Sequence, residues 1–447
     1  MTSGWLRFSI NPGRTADGAM RITGAIFLLT LRSLARSRFL ICILFLALAL
    51  VVVLPVAIQD DGTVTGRVQV LLRYTLAAVT FLLSVGTLGV APGLVAGELE
   101  TRHLQQVLVK PVRFGQIWAG KWLALVAVNA VMLALSMLLA QALLNWNLRA
   151  SRLTPQQTAE LSRTVLVSRV NRAPAPDAGG GVVRPGAERR WLFHHVPEKE
   201  TGQPLTLRIQ FITPNFEENR ELDGEWSLGA PGKAPFFSKR LRVRTFLPQE
   251  IVIPPPPGPL PETLEAVYVN REPDAVLFHA EQGIRLLAPK GAYGPNLVRA
   301  YGLLLFNLAL LAAVGLTMGS LFSSPVAVLA AFFALALFSF SGYIGSVART
   351  GVFYVPHHHE DGGGTGHEEE SEPGWAARHL EPLLKAAYRG ADKVLAPVRR
   401  LDPLERVAGG ERVSPAEVGR GFVVLIIFGS GLMAALAAGV FRRRETG

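Results

Sequence analysis

The densest set of potential metal ligands in this chain is His357-His358-His359-Glu360-Asp361, followed after a glycine-rich stretch by His367 and Glu368–Glu370. Imidazoles and carboxylates of this kind could hold a divalent ion. Gly362, Gly363, Gly364 and Gly366 separate them, however, and such spacing builds no preorganised coordination geometry. The composition reads as a solvated, disordered linker, so no metal site is assigned. His194 and His195 stand beside Phe193 in what reads as a strand. No Ser/His/Asp grouping and no paired carboxylates can be placed, so no catalytic residue is assigned and the chain is not expected to be an enzyme. There is no GxxxxGK[ST] phosphate loop and no acidic strand of the Walker-B kind, so no cofactor site is expected in this chain. One charged stretch does have an ordered pattern: Gly97–Leu123, GELETRHLQQVLVKPVRFGQIWAGKWL.

Within that stretch Leu99, Leu104, Val107 and Leu108 recur at helical spacing, while Glu98, Glu100, Arg102, Gln105 and Lys110 take the other positions. Pro111 stops the helix, because proline has no N–H and clashes with the preceding turn. A second helix is expected from near Arg113 into the next apolar run. A two-faced helix between two membrane-spanning runs suggests a docking surface rather than a plain loop.

The elements that would position it follow from composition. The chain has 447 residues, 49% hydrophobic and 18% charged, with a mean hydropathy of +0.31. That is the composition of a membrane protein. The net charge of +11 is spread along the chain with no aromatic-interleaved basic module, which argues against nucleic acid. The single cysteine, Cys42, excludes an intrachain disulfide. The mixed residues before the first apolar run do not resemble a cleavable signal peptide.

Six runs are long enough to cross a bilayer, which takes roughly 20 apolar residues: Phe39–Ile58, Tyr74–Ala96, Trp122–Leu144, Tyr301–Phe322, Pro325–Val347 and Gly421–Phe441. The expected fold is therefore an α-helical polytopic membrane protein with six transmembrane helices and an inserted extracytoplasmic, mainly-β, sandwich-like domain. Arg32, Arg36 and Arg38 precede the first span, and Arg442, Arg443 and Arg444 follow the last. The positive-inside rule places both termini in the cytoplasm. Residues 1–38 form a cytoplasmic segment in which Ala19–Ser37 is an amphipathic interfacial helix or an extension of the first span. Residues 39–144 hold three spans and the cytoplasmic loop 97–121, and 299–347 hold the next two. Residues 421–447 hold the sixth span and its basic tail. No buried Asp, Glu, Lys or His is expected in a span, which argues against an ion-coupled carrier. Asn129, Gln141, Asn145 and Asn307 read as helix-to-helix amides.

Two segments are left outside. In 145–298, Leu205, Leu207, Ile209 and Phe211 alternate with polar residues, as do Leu241 and Val243 with Arg240, Arg242 and Arg244. Seven or eight short strands are expected, with a less ordered stem over Ala150–Gly186 and a stiff polyproline connection at Ile253–Glu262. In 348–420 the histidine-rich linker precedes an amphipathic region whose apolar side includes Leu380, Leu384, Ala387, Ala391 and Leu395. Pro382 and Pro397 are expected to break it into pieces.

Gly97–Leu123 resembles the coupling loop of ABC-2 type transporter permeases. In that family an acidic residue follows span two, then come a short amphipathic helix, Pro-Val, and Gly-Lys entering span three. Here those features are Glu98, Glu100, Thr101, Leu104, Val107, Leu108, Lys110, Pro111, Val112, Gly120 and Lys121. Arg102-His103-Leu104 stands where the family has Gly-Thr-Leu. The resemblance covers the spans and this loop, not the β insertion. It implies a permease subunit in a bacterial inner membrane, paired with a second permease copy or a homologue. ATP and Mg would be handled by a separate ATPase subunit docked on the loop, and export is the expected direction. The competing expectation is a non-transporting membrane anchor that presents the β domain for binding or assembly.

Overall fold

The computed structural model describes residues 12–57, 64–100, 113–150, 154, 167–175, 181–196, 204–213, 220–246, 249–255, 258–278, 283–341, 344 and 375–446. Its helical part begins with α1 (Pro12–Ala35) and α2 (Arg38–Ala57), followed by α3 (Val64–Glu100) and α4 (Phe114–Ala150). After the β region come α5 (Tyr293–Leu321), α6 (Ser324–Ser339), α7 (Trp375–Arg399), α8 (Leu404–Ala408) and α9 (Pro415–Gly421). A π-helical stretch, Phe422–Ser430, then joins α9 to α10 (Gly431–Thr446) without a break.

Among the described residues, four helices are long and apolar enough to cross a membrane: Leu72–Glu100, Phe114–Trp146, Tyr293–Leu321 and Pro415–Arg443. Helices α1 and α2, bent by 65° at their junction, pass the same test together and count as a fifth when taken as one broken span. The bend separates α1 from a straight extension of α2. Described α6 is 16 residues long, short of the roughly 20 that a span requires. Helices α3 and α4, at 37 residues each, extend well past both predicted runs. At 1.5 Å per residue they reach roughly 55 Å, beyond a hydrocarbon core of roughly 30 Å.

Helix α5 is the centre of the bundle, with 67% of its spanning window buried against 17% for the last span. Small residues allow the close approach. A Cβ at Gly319 would lie 2.2 Å from the Pro92 carbonyl oxygen, and one at Gly315 would lie 2.7 Å from Ala91. Such contacts are how helices pack where lipid supplies no hydrophobic drive. Asn129 and Thr87 join α4 to α3 by a reciprocal side-chain hydrogen bond of 2.9–3.0 Å, as the amide pattern suggested.

Eleven strands are described between α4 and α5: β1 (Val167–Arg172), β2 (Val182–Val183), β3 (Glu188–Phe193), β4 (Leu205–Ile209), β5 (Phe211–Ile212), β6 (Glu221–Gly229), β7 (Phe237–Arg244), β8 (Gln249–Ile253), β9 (Leu264–Asn270), β10 (Val276–Phe278) and β11 (Ile284–Ala292), all antiparallel within their sheets. The four-stranded sheets are β1-β11-β4-β8 and β3-β9-β6-β7; a three-stranded β2-β10-β5 completes the set. The expected sandwich is larger than seven or eight strands, and part of the expected stem is ordered. Strands β1 (Val167–Arg172) and β2 (Val182–Val183) both lie within it. The domain enters through β1 and leaves through β11 (Ile284–Ala292), which pair with Val167 opposite Ala292. Adjacent entry and exit strands are what allow a domain to be inserted into a helical bundle.

Alternation builds its core. On β6 (Glu221–Gly229), Leu222, Trp226 and Leu228 face inward, while Glu221 and Glu225 face outward onto Arg244 and Arg271. Gly224 takes an inward position because a Cβ there would meet Tyr268 Cε2 at 2.3 Å. Trp191, Trp226, Phe211 and Phe278 complete the aromatic core, with ring centroids 5.0–6.3 Å apart.

Four local expectations change. Strand β3 ends at Phe193, and His195, at φ 54°, turns the chain instead of continuing it. Helix α7 is continuous through Pro382. One lost N–H bond is tolerated where the apolar side runs unbroken, and Pro397 falls in the last turn. The last span starts at Pro415 rather than Gly421, because Ser414 and Glu417 close a capping box there. Lys121 lies inside α4 and is 3% exposed, a buried charge where none was expected.

Candidate coupling site

Residues Thr101, Leu104, Val107, Leu108, Lys110, Pro111 and Val112 lie outside the described residues. Glu98, Glu100, Gly120 and Lys121 lie within them, on the two helices that border the loop. The expected loop 97–121 is narrower than its sequence boundaries: α3 continues through Glu100 and α4 begins at Phe114.

The two borders are tied to each other. Lys121 Nζ donates to the Glu98 carboxylate and to the backbone carbonyl of Leu94. Its ammonium is buried, whereas the Glu98 side chain is 45% exposed, so the pair straddles the edge of the bundle. This answers the cost of a lysine inside a helix: the charge has both a counter-ion and a carbonyl. The GxxxxGK spacing of Gly115–Lys121 forms no phosphate cradle. Those residues are α-helical, and Trp122 stands in the position a Ser or Thr would take.

Each border also reaches other helices. Glu100 Oε1 accepts the Ser324 backbone N–H at 2.7 Å, at the N-terminus of α6. The N-cap residue, Ser323, makes no side-chain cap bond, so a carboxylate from α3 serves instead. Phe114, the first residue of α4, stacks on Phe441 of α10 with centroids 4.4 Å apart. Gly120 brings α1 against α4; a Cβ there would sit 2.9 Å from Ile26 Cγ2 and 3.0 Å from the Thr23 carbonyl. Trp122 Nε1 donates to the Ala309 carbonyl of α5 at 2.8 Å. Gln116 folds back to accept the Arg113 N–H at 3.0 Å, fixing the first turn of α4.

Sequence reasoning placed Glu98 and Lys121 in the site without pairing them. They stand nearly symmetrically about the turn of an antiparallel helix pair, and that symmetry was a readable signal. Glu100 capping α6 and Phe114 stacking on α10 had no comparable signal, since each joins residues hundreds of positions apart.

At the opposite end of the bundle sits a second polar constellation that sequence reasoning missed. Arg169, wholly buried on β1, forks onto Glu250 of β8 with bonds of 2.8 and 3.0 Å. Arg208 of β4 bridges Glu250 at 2.7 Å and Glu411. Both guanidiniums donate to the Gly409 carbonyl. The backbone joins in: Arg169 N–H donates to Gly410 at 2.8 Å and Arg412 N–H donates to Arg169 at 2.7 Å, covering the free edge of β1. From α5, Asn296 donates to the Glu411 carbonyl at 2.8 Å and accepts from Val413 N–H at 2.7 Å. Burial works against the Glu250 carboxylate, but Arg169 and Arg208 outweigh it and hold its pKa below the ordinary 4.5. Burial likewise opposes the Arg208 charge, and Glu250 and Glu411 raise its pKa despite that. The β domain, α5 and the entry to the last span are thereby held as one joint.

Set against known protein families, characterised proteins and solved structures, the chain matches none of them.

Proposed function

We propose that the chain is the membrane-spanning permease subunit of an ABC-2 type ATP-driven transporter, an exporter in a bacterial inner membrane. In this reading α2, α3, α4, α5, the Pro325–Val347 run that α6 begins, and the α9–α10 helix are its six spans. Both termini and the 101–112 loop face the cytoplasm, and the β domain faces the other side. A separate ATPase subunit docks on the loop, and two permease copies or homologues face each other across the path.

One observation carries the reading. The helices that border 101–112 are pinned to each other by Glu98–Lys121 and to four more helices, α1, α5, α6 and α10, at the same end. A displacement applied to that loop would reach the bundle as a rigid-body shift. The chain has no phosphate loop of its own, so the work has to come from a partner. Arg32, Arg36 and Arg38 on one side of the bundle and Arg442–Arg444 at the end of α10 support a cytoplasmic assignment of this end.

The test is co-purification with a separately encoded ATPase and ATP-dependent transport by the reconstituted pair. Leu104→Asp with Leu108→Asp should abolish both. Assembly and transport that survive the double substitution would remove the coupling role. The Arg169–Glu411 joint favours a second reading, a membrane anchor presenting the β domain. That reading requires full tolerance of changes in 97–121 and loss of function when 167–292 is deleted.

A further inference from the structure

At the joint end of the bundle, the end of α6, Phe340 and Ile344 just beyond it, and α7 border an apolar groove of about 720 Å³ lined by Leu337, Phe340, Ile344, Ala387, Tyr388 and Ala391. Its size falls within the roughly 300–1,000 Å³ of ordinary ligand sites. The groove does not end at its mouth. Leu329, Phe333, Leu337 and Phe340 recur along one side of α6 and are all exposed, at 40–71%. At 1.5 Å per residue this stripe runs roughly 16 Å, about the depth of one leaflet of a hydrocarbon core roughly 30 Å thick.

The second wall has two characters. Ala387, Tyr388 and Ala391 of α7 face the groove, while Arg389, Lys393 and the following Arg400 are exposed on the rest of the helix. Asp392 is already neutralised by Arg399 at 2.9 Å, and Arg399 also donates to the Ser341 carbonyl, fastening α7 to the end of α6. Among the described residues, Arg389, Lys393 and Arg400 form no ion pair. A helix with an apolar side and an unneutralised basic side is built for a membrane interface carrying negative charge.

We propose that this groove is a binding site for an anionic phospholipid, with an acyl chain lying along α6 beneath α7 and the phosphate at the level of the basic side of α7. Charge complementarity selects this occupant. An uncharged apolar ligand would leave Arg389, Lys393 and Arg400 without a counter-ion among the described residues. The inference needs only a membrane-embedded chain and stands apart from the transport reading.

The full chain, purified in detergent and stripped of lipid, is to be offered phosphatidylglycerol or phosphatidylcholine and the retained lipid read by native mass spectrometry. Phosphatidylglycerol should be retained at least tenfold better. Arg389→Glu with Lys393→Glu should erase that preference, since each basic residue near an anionic surface is worth about five-fold in affinity. Ala391→Trp, which fills the groove, should lower retention of both lipids tenfold or more, and Phe340→Ala, which removes a wall, should lower it as well. Each variant is checked by the thermal transition of its β domain, so that lost binding is separated from lost fold. Equal retention of the two lipids by the native chain, or retention untouched by Ala391→Trp, would overturn the proposal. The second result would mean that the retained lipid is held elsewhere on the chain.

Discussion

The two ends of the helical bundle solve the same problem, holding long helices in place with polar groups, in opposite ways. At the loop end, the polar contacts are separate. Glu98–Lys121 joins α3 to α4, Glu100–Ser324 joins α3 to α6, and neither shares an atom with the other. At the β-domain end, two arginines and two glutamates share partners, and a single carbonyl, that of Gly409, receives both guanidiniums. Separate contacts can change one at a time, whereas a shared, charge-balanced network yields only as a unit. The polar contacts of the β-domain end are therefore the stiffer set, expected to fail together, and those of the loop end are expected to fail singly.

The largest expected effect tests the stiff end. Glu250→Ala leaves the Arg169 guanidinium buried without its carboxylate, and removal of one partner from such a pair costs about 3–5 kcal/mol. Thermal unfolding of the β domain, followed by the fluorescence of Trp191 and Trp226, should show the full loss. Arg169→Met together with Glu250→Met should recover much of it, because a buried ion pair replaced by apolar residues is often nearly neutral. If the double variant is as unstable as Glu250→Ala, the network's contribution lies in its shape rather than its charge balance.

Acid sharpens the same contrast. Because its folded pKa is depressed, Glu250 contributes stability that is complete above its ordinary pKa of 4.5 and is lost as pH falls through the lowered folded value. The β-domain transition should therefore drop below about pH 4.5. Glu250→Gln should flatten that part of the profile while lowering stability at neutral pH. An unchanged acid limb in Glu250→Gln would show that other carboxylates carry it.

A smaller effect is expected at the loop end. Glu98→Ala leaves the Lys121 ammonium with the Leu94 carbonyl alone, at a cost of about 1–3 kcal/mol for the unsatisfied charge. The half-exposed position of Glu98 keeps the loss below that at Glu250. Lys121→Met with Glu98→Ala should restore stability but not ATPase coupling, which separates packing from the proposed transmission. Coupling that survives the double variant would confine the pair to a structural role.

What could be read from the letters divides along the same line. Periodicity located the long helices and the strands of the inserted domain, because Leu205, Leu207 and Ile209 alternate and the apolar runs exceed a bilayer's width. The joint escaped because Arg169 and Glu411 are 242 positions apart, and each looks like an ordinary polar residue on a strand or loop. A register shift between Val167 and Arg169 is what accompanies a buried guanidinium on an edge strand, and no local pattern announces it. The apolar run begins at Trp122, so its boundary leaves Lys121 in the loop. Its partner 23 positions earlier is what makes the position tenable. The proline in α7 misled for a related reason: local propensity argued for a break at Pro382, and the amphipathic side of the helix overrode it.

The smallest expected effect concerns Glu100. As a carboxylate at the N-terminus of α6 it should be worth about 1 kcal/mol, comparable to an N-cap, because Ser323 supplies no side-chain bond of its own. Glu100→Gln retains an acceptor oxygen but loses the charge that the helix dipole favours, so it should cost only part of what Glu100→Ala costs. Hydrogen exchange at the first turn of α6 is the measurement that isolates this contact, since whole-chain stability will hardly register it. Faster exchange at Ser324 in Glu100→Ala, with the β domain unchanged, is the expected outcome. If protection in the β domain falls as well, the contacts at the loop end are not separable, and the contrast between the two ends fails.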